Sequence, residues 1–518
     1  MRCSAKITHF DLKPIFEMDS RKRVITNNIK YNLVSQGVGF VVGLMMFPFI
    51  VSHVGKEVYG AYLLVTTFIG YFGVLDFGVG AAIPKYIAEF VGKDDLKGAN
   101  KIINASLFFY TIVGFFVATS LLILSFYFDH IFHIEPANVI IMRHLFWVAA
   151  GASLLIWPGR TFDSVLYGLQ RFDWLSISNI AATILTAISA YFIFTHNLGM
   201  VWFVALFYFF IILRCLVSYI IVRYYTLKTA IHFPYFDRET SKMIFGFSFF
   251  LFLSGLLSLF IFNFDSFVIG AFASISAVTL YGVGYGLQNG FRAINSFIVG
   301  PILPAGAELE GKNEQDKQKE LLFRGTKYMT MIFVPGVIIT IIFAKLFINN
   351  WMGVGFAESI LPAQVLISFW MFGSIINVGA SLATTKGYVK VFFKINLLNA
   401  LLNIGLSLAL VRPLGILGVV LGTTIPMILV DFPLSLYQIL KIMKVSFKDF
   451  FNLAIKKNLG VYLFAIIASV LALKFFQPVN VFLTIGEMGI VYGIVMLVGF
   501  YFFLSPKERK EILFMIKF

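Results

Sequence analysis

The sequence predicts an all-α integral membrane protein with about fourteen transmembrane helices. They are expected as two six-helix lobes in parallel pseudo-repeat, followed by a C-terminal helix pair. Three observations predict this: the composition, the succession of apolar stretches, and a short motif that recurs 219 residues further on. Of the 518 residues 59% are hydrophobic, 17% aromatic and only 13% charged, and the 61 Phe outnumber the 41 Lys and Arg. Soluble proteins average about 25% charge and less than half apolar residues. No soluble core of this size could hide so much apolar surface, so the bilayer must be the solvent. A cytosolic enzyme, a disulfide scaffold and a disordered chain are thereby excluded. The two cysteines, Cys3 and Cys215, offer neither a disulfide framework nor a CxxC metal site.

A span needs about 20 apolar residues to cross roughly 30 Å of hydrocarbon. Six such stretches fall at 31–52, 58–76, 102–128, 143–168, 174–195 and 199–224. Six more follow at 243–271, 277–303, 327–348, 359–384, 391–411 and 414–440, and a last pair at 452–474 and 480–504. Some neighbours join across very short turns, such as His196-Asn197-Leu198 and Arg412-Pro413. The expected organisation is a basic cytoplasmic segment 1–30, an N-lobe 31–226, a cytoplasmic linker 227–242, a C-lobe 243–440, the pair 446–504 and a cytoplasmic tail 505–518. The leader is too long for the n-region of a signal peptide, and no A-x-A-like site follows it, so no cleaved signal is expected.

Net charge is +15, and its location decides what it means. With the N-terminus inside, 33 of the 41 basic residues fall in cytoplasmic segments. Five fall in external turns (Lys56, Arg143, Lys345, Arg412 and Lys474), and Arg160, Arg214 and Arg292 remain within spans. This asymmetry orients the chain with both termini in the cytoplasm and matches anionic lipid, so nucleic acid is not a partner. The longest external connection, Asp129 to Met142, leaves no room for a catalytic domain.

The motif is P followed by A-E-[FL]-x-G-K, read as PKYIAEFVGKDD from Pro84 and PAGAELEGKNE from Pro304. Tyr59-Gly60 and Tyr281-Gly282 open the equivalent spans. Both matches fall at the second span of a six-span block, and six is even, so the halves enter the membrane the same way. Parallel repeats of this kind recur in secondary transporters, with substrate handled between the halves.

From Asn32 through Phe90 the chain carries Pro48-Phe49-Ile50, Gly55, Tyr59-Gly60 and Leu75-Asp76-Phe77-Gly78-Val79-Gly80. This stretch resembles the start of the bacterial polysaccharide-biosynthesis exporters. Those are the O-antigen and capsule flippases of the multidrug/oligosaccharidyl-lipid/polysaccharide superfamily. The resemblance implies movement of an undecaprenyl-diphosphate-linked oligosaccharide across the bacterial inner membrane, with polymerase and export machinery as onward partners.

Among candidate site residues the buried arginines come first, because a charge within a span is costly unless paired or wet. Arg160, Arg214 and Arg292 lie about 15 to 17 residues from their outer span ends, at one level near the cytoplasmic third. Arg suits a diphosphate, since its fork makes paired hydrogen bonds to phosphate oxygens. Snorkelling, or local pairing of Arg160 with Asp163, is the alternative. Gln288, Arg292 and Asn295 fall at i, i+4 and i+7, with Tyr281 and Tyr285 extending the stripe, which must face protein or water. Gly282, Gly286 and Gly290 read as a helix-packing face. Ser254, Ser258 and Asp265 share a face of span seven, with Asn263 nearby. Asp265 is a candidate carrier of a coupling ion, H+ or Na+, or a structural bond to another helix. Asp76 either faces the lumen in the same role or caps the following segment. Asp431 and Glu487 are noted without a role. His130 and His133, near Asp129 and Glu135, read as an outer polar cluster rather than a metal site. No Gly-Lys pair fits a P-loop, so no cofactor or ATP is expected within the chain.

The leading expectation is a lipid-linked oligosaccharide flippase working by alternating access, not an enzyme. A cation-coupled multidrug antiporter of the same superfamily would favour an acidic cavity. A membrane oligosaccharide polymerase would need a sizeable external catalytic loop, which the sequence lacks. The charge asymmetry makes a direct prediction. Cysteine labelling in intact cells should leave positions near Lys97, Lys317 and Lys510 protected, and reach those near His133 and Asn350. External labelling at position 317 would overturn the orientation.

Overall fold

The computed structural model describes residues 18–132, 134–226 and 264–510, which are helical with no strand among them. The helices are α1 (Met18–Phe72), α2 (Val79–Gly92), α3 (Leu96–Ile131), α4 (Pro136–Gly168), α5 (Phe172–Thr195) and α6 (Met200–Ile220). Then come α7 (264–272), α8 (Ile275–Val299), α9 (Ile302–Gly311), α10 (Gln315–Met352) and α11 (Ile360–Thr385). They are followed by α12 (Val389–Pro426), α13 (Phe432–Met443), α14 (Phe447–Phe450), α15 (Leu459–Phe475) and α16 (Val481–Val498). The linker 227–242 and most of the seventh span, with Ser254, Ser258 and Asn263, lie outside the described residues.

Among the described residues ten helical stretches are long and apolar enough to cross a membrane. Two of them cross twice. In α1 the backbone leaves the helix at Gly55, where φ is 78° and ψ 167°. Phe47 and Tyr59, twelve residues apart, nevertheless bring their rings within 4.9 Å. On a straight helix they would be roughly 18 Å apart, so the chain folds back at Gly55. In α12 the break is Gly415, with φ 56°, and Asn403 donates to Thr423 Oγ1 at 2.8 Å across it. A positive φ at both turns is open to glycine at little cost and strained for most other residues. The pairs 31–52/58–76 and 391–411/414–440 are therefore helical hairpins. The stretch 277–303 is shorter than read, because α8 stops at Val299 and a separate helix, α9, follows.

The chain divides into two compact units, Met1–Leu259 and Phe260–Phe518. Inside the first, α3 and α2 both pack on α4, and α6 packs on α4 as well. Inside the second, α10, α9 and α13 pack on α11 in the corresponding order. Each unit thus carries a short helix after its second crossing. In α2 the buried residues Val79, Ala82, Ile83, Tyr86 and Ile87 form an i, i+3, i+4, i+7, i+8 stripe. The segment lies between the spans expected at 58–76 and 102–128, where the sequence shows no stretch long enough to be read as a span.

The final pair, α15 and α16, packs on α10 around Val334, Ile338, Phe343, Val461, Ala465 and Val495. Polar ties pin it at both ends. Asn350 Nδ2 donates to Pro478 O at 2.7 Å and to Thr484 Oγ1 at 2.9 Å. At the other end Asn458 Nδ2 donates to Lys327 O at 2.7 Å and to Thr330 Oγ1 at 3.0 Å. The Lys327 ammonium meets Glu508 at 2.5 Å, just past the last span. Burial would raise the Glu508 pKa, but Lys327 and the N–H and hydroxyl of Ser505 outweigh it and hold the carboxyl down at about 2.

Candidate functional site

Two polar clusters are built into the apolar helices, one in each unit. In the first unit α4 and α6 approach closely because Gly159 has no side chain. A Cβ there would lie 2.6 Å from that of Cys215. One turn further along α4, Asp163 takes the Arg214 guanidinium (Nη2 to Oδ2, 2.8 Å) and the Ser218 hydroxyl (Oγ to Oδ1, 2.7 Å). Arg214 and Ser218 are i, i+4 on α6, so a single face of that helix supplies both donors. Arg160 does not pair with Asp163. Its exposed guanidinium lies over the buried Trp157 ring, 4.7 Å from the centroid. The local Arg160–Asp163 pairing that the spacing allowed is replaced by a bond between helices, which sequence spacing cannot show. Asp163 is the partner that sequence reasoning left out of the candidate site. Its signal was an acid three residues from an arginine within an apolar run.

Asp76 bonds twice. The buried Tyr110 hydroxyl donates to Oδ1 at 2.5 Å, and the Gly80 N–H donates to Oδ2 at 3.1 Å. The second bond satisfies a free N–H of the first turn of α2, so Asp76 has the geometry of the helix-capping alternative. The Tyr110 ring lies 6.0 Å from that of Trp157. Asp76, Tyr110, Trp157 and Arg160 thus form one run of contacts in the first unit, and Asp163 with Arg214 and Ser218 a second on the same helix α4.

In the second unit Asp265 on α7 is buried, at 1% exposure. Its Oδ2 accepts from Thr423 Oγ1 at 2.7 Å and from the Tyr281 hydroxyl at 3.2 Å. Asn403 donates to the same Thr423 oxygen. The hairpin at Gly415 is what carries Asn403 and Thr423 to one place. Three further oxygens, Asp265 Oδ1, Asn403 Oδ1 and Asn399 Oδ1, are buried without a hydrogen-bond partner. A buried carboxylate held by two hydroxyls, with its second oxygen unpartnered, can take up a proton or a hard monovalent cation. Asn399, Asn403 and Thr423 were missed by sequence reasoning, although two Asn at i, i+4 in an apolar span were a readable signal.

The α8 stripe leads away from this cluster. Tyr281 and Tyr285 stack at 5.7 Å between centroids. Gln288 is buried at 4% exposure, Arg292 is half-buried, and Asn295 accepts from Asn377 of α11 at 2.7 Å. From Tyr281 to Arg292 is eleven residues, roughly 16 Å of helix, which keeps Arg292 away from Asp265. The close approach of α8 to α11 falls on Gly284, where a Cβ would meet Ala363 Cα at 2.9 Å, while Gly286 meets open space. Of the glycines read as a packing face, Gly286 therefore makes no close approach, whereas Gly284, outside that set, makes one. Elsewhere, Asp431 accepts from Ser435, and His130 contacts Asp129 at 3.1 Å. His133 lies outside the described residues.

The Asp163–Arg214 pair makes a stability prediction. Asp163→Ala leaves a guanidinium without its counter-charge inside the membrane, at a cost of about 3 kcal/mol, the low end for a broken buried pair. The purified protein should melt at a clearly lower temperature. Asp163→Asn combined with Arg214→Gln removes both charges and should recover most of the loss. If that double variant melts no higher than Asp163→Ala, the two residues do not act as a pair.

A sequence profile of the polysaccharide biosynthesis proteins matches residues 25–309, more than half of the chain. A curated protein of Shigella flexneri described as a "Putative O-antigen transporter" is 23% identical over 409 residues, covering 78% of this chain and 95% of that protein. Among solved structures, the lipid II flippase MurJ in an inward closed conformation superposes with a TM-score of 0.70 at 15% identity, covering 91% of this chain and 99% of that one. An inward-facing multidrug-resistance MATE transporter of the MOP superfamily gives 0.67 at 17% identity, covering 79% and 96%. At such identities the structural likenesses speak to the fold. The fold and the profile agree: this chain is a multi-pass membrane protein of the polysaccharide biosynthesis protein family, built on the fold of the MOP superfamily.

Proposed function

We propose that the protein is a flippase for a polyprenyl-diphosphate-linked oligosaccharide, an O-antigen or capsule repeat unit, and not an enzyme. It would work by alternating access in the bacterial inner membrane, with both termini in the cytoplasm. The observation that carries the reading is the stripe of α8, where Arg292 sits half-buried in a span between Gln288 and Asn295. A guanidinium held at that depth matches an anionic headgroup while the polyprenyl tail stays in lipid. Within the first unit the candidate anion contacts are Arg160, with its guanidinium exposed over Trp157, and Arg214, which must exchange Asp163 for phosphate to take part. The O-antigen transporter among the relatives supports this cargo. The MATE likeness fits a multidrug antiporter equally well in fold, but arginines within the spans favour an anion over a cationic drug.

Coupling would run through Asp265, whose surrounding oxygens suit H+ or Na+. Asp76, fixed by Tyr110 and Gly80, is the weaker partner in that role.

Two expected outcomes test this reading. Replacing Arg292 by Ala removes a charge-assisted contact of roughly 1.5–3 kcal/mol, about ten- to a hundredfold in headgroup binding. Arg292→Lys keeps the charge and loses the fork, so polysaccharide export at equal protein abundance should follow the order wild type, Lys, Ala. Normal export by Arg292→Ala would remove this residue from the pathway. Asp265→Asn preserves shape and should abolish transport with abundance unchanged. Wild-type transport by that variant, measured in proteoliposomes across an imposed ion gradient, would leave Asp265 as a helix-packing residue.

A further inference from the structure

A separate site is built at the end of the second unit that the charge count assigns to the cytoplasm. The α9–α10 turn, the α11–α12 turn and the C-terminus of α13 converge there around a cavity of about 250 Å³. Its wall includes Lys319, Lys386 and Lys444, with Glu310, Gln318 and Tyr388. Three lysines against one glutamate leave the wall with two net positive charges. Glu310 is engaged by Lys386 at 2.6 Å, a bond that holds its carboxyl below the usual range. Among the described residues Lys319 pairs with the fully exposed Asp316 at 3.7 Å, a contact that solvent screens. Lys444 stands in the left-handed region at φ 52°, where a helix C-terminus ordinarily carries glycine. A lysine there gives up backbone comfort and sets its ammonium at the cavity. Gln318 is completely buried. Its Nε2 donates to Gly306 O at 3.0 Å, and its Oε1 has no partner.

The geometry points to a binding site for a phosphate ester that carries hydroxyl groups. The lysines supply the cationic wall for the phosphate. The unpartnered acceptor of Gln318 asks for a donor, which a glycerol hydroxyl provides apart from the phosphate, whereas the P–OH of inorganic phosphate belongs to the group the lysines hold. Tyr388, exposed beside it, is the kind of amphipathic ring that sits at a headgroup level. Two sources share this chemistry: the headgroup of an anionic glycerophospholipid, and a soluble glycerol phosphate. The motif Ala307-Glu308-Leu309-Glu310-Gly311-Lys312 aligns Glu310 with Val91 of the first repeat. The Glu310–Lys386 bond that closes the cavity therefore has no counterpart through that position in the first unit.

The test uses the purified full chain in detergent and follows its melting temperature. The additions are phosphatidylglycerol, phosphatidylcholine, glycerol 3-phosphate and inorganic phosphate. Phosphatidylglycerol or glycerol 3-phosphate, or both, should raise the melting temperature, and inorganic phosphate should do so only at a much higher concentration. Protection by the lipid alone identifies a headgroup site, and protection by the soluble ester identifies a free ligand. Lys319→Gln combined with Lys444→Gly should raise the half-saturating concentration at least tenfold. Lys444→Gly suits the positive φ, so this variant tests binding without loss of fold. Gln318→Leu should erase the preference of glycerol 3-phosphate over inorganic phosphate. Equal protection by phosphatidylcholine and phosphatidylglycerol with none by the soluble ester, or an unchanged half-saturation in the lysine variant, overturns the site.

Discussion

In hydrocarbon every polar group must find its partner within the protein, and the rest of this structure follows from that constraint. The long helices satisfy the backbone along their length. Where the chain must reverse, at Gly55 and Gly415, it does so in a single residue, exposing few backbone groups. Side chains meet the same demand between helices. Asp163 takes both a guanidinium and a hydroxyl from α6, Asn295 takes the amide of Asn377, and Asn350 and Asn458 each bond twice across to their neighbours. The bonded groups fix the helices. Asp265 Oδ1 is one of several buried atoms left without a hydrogen-bond partner among the described residues, and on a carboxylate such an opening suits a visiting ion.

The two units share an order of packing and differ in their chemistry. In the first, acid and base neutralise each other across α4 and α6, and Arg160 remains as a stacked, accessible cation. In the second, a carboxylate lies among neutral oxygens, and the arginine is kept some 16 Å along α8 from it. Duplication gave two similar frames, and substitution at matched positions, such as Val91 against Glu310, gave each frame its own electrostatics.

The sequence made the architecture legible because bilayer thickness sets a length that can be counted. Short turns such as Arg412-Pro413 also marked where spans join. Counted that way, the second span ends at 76 with no helix in 79–92, and the eighth runs on to 303, into α9. A short amphipathic helix is not long enough to count as a span, and the turn at Phe77-Gly78, with φ 48° and 75°, sets α2 off from the span before it. The site was half legible. Arg292, Gln288 and Asn295 lie on one helix, so their spacing of four and three shows a common face. Asp163 with Arg214, and Asp265 with Thr423, are 51 and 158 residues apart in sequence. Contacts of that kind depend on which helices are neighbours, and one sequence without relatives carries no record of that. The choice of Gly284 over Gly286 as the packing residue has the same cause.

The ties between α10 and the final helix pair have a consequence for how the protein is made. Lys327 leaves the ribosome well before the residues that satisfy it, since Asn458 comes 131 residues later and Glu508 comes 181 later. At about 5–20 residues per second, that is an interval of roughly ten seconds or more during which a buried ammonium waits at the membrane surface without its acid. The second unit therefore cannot close until Asn458 and Glu508 have been made. A chain stopped short of α15 presents an unmatched charge and an uncovered apolar face on α10. Completion of the last helix pair thus gates closure of the second unit.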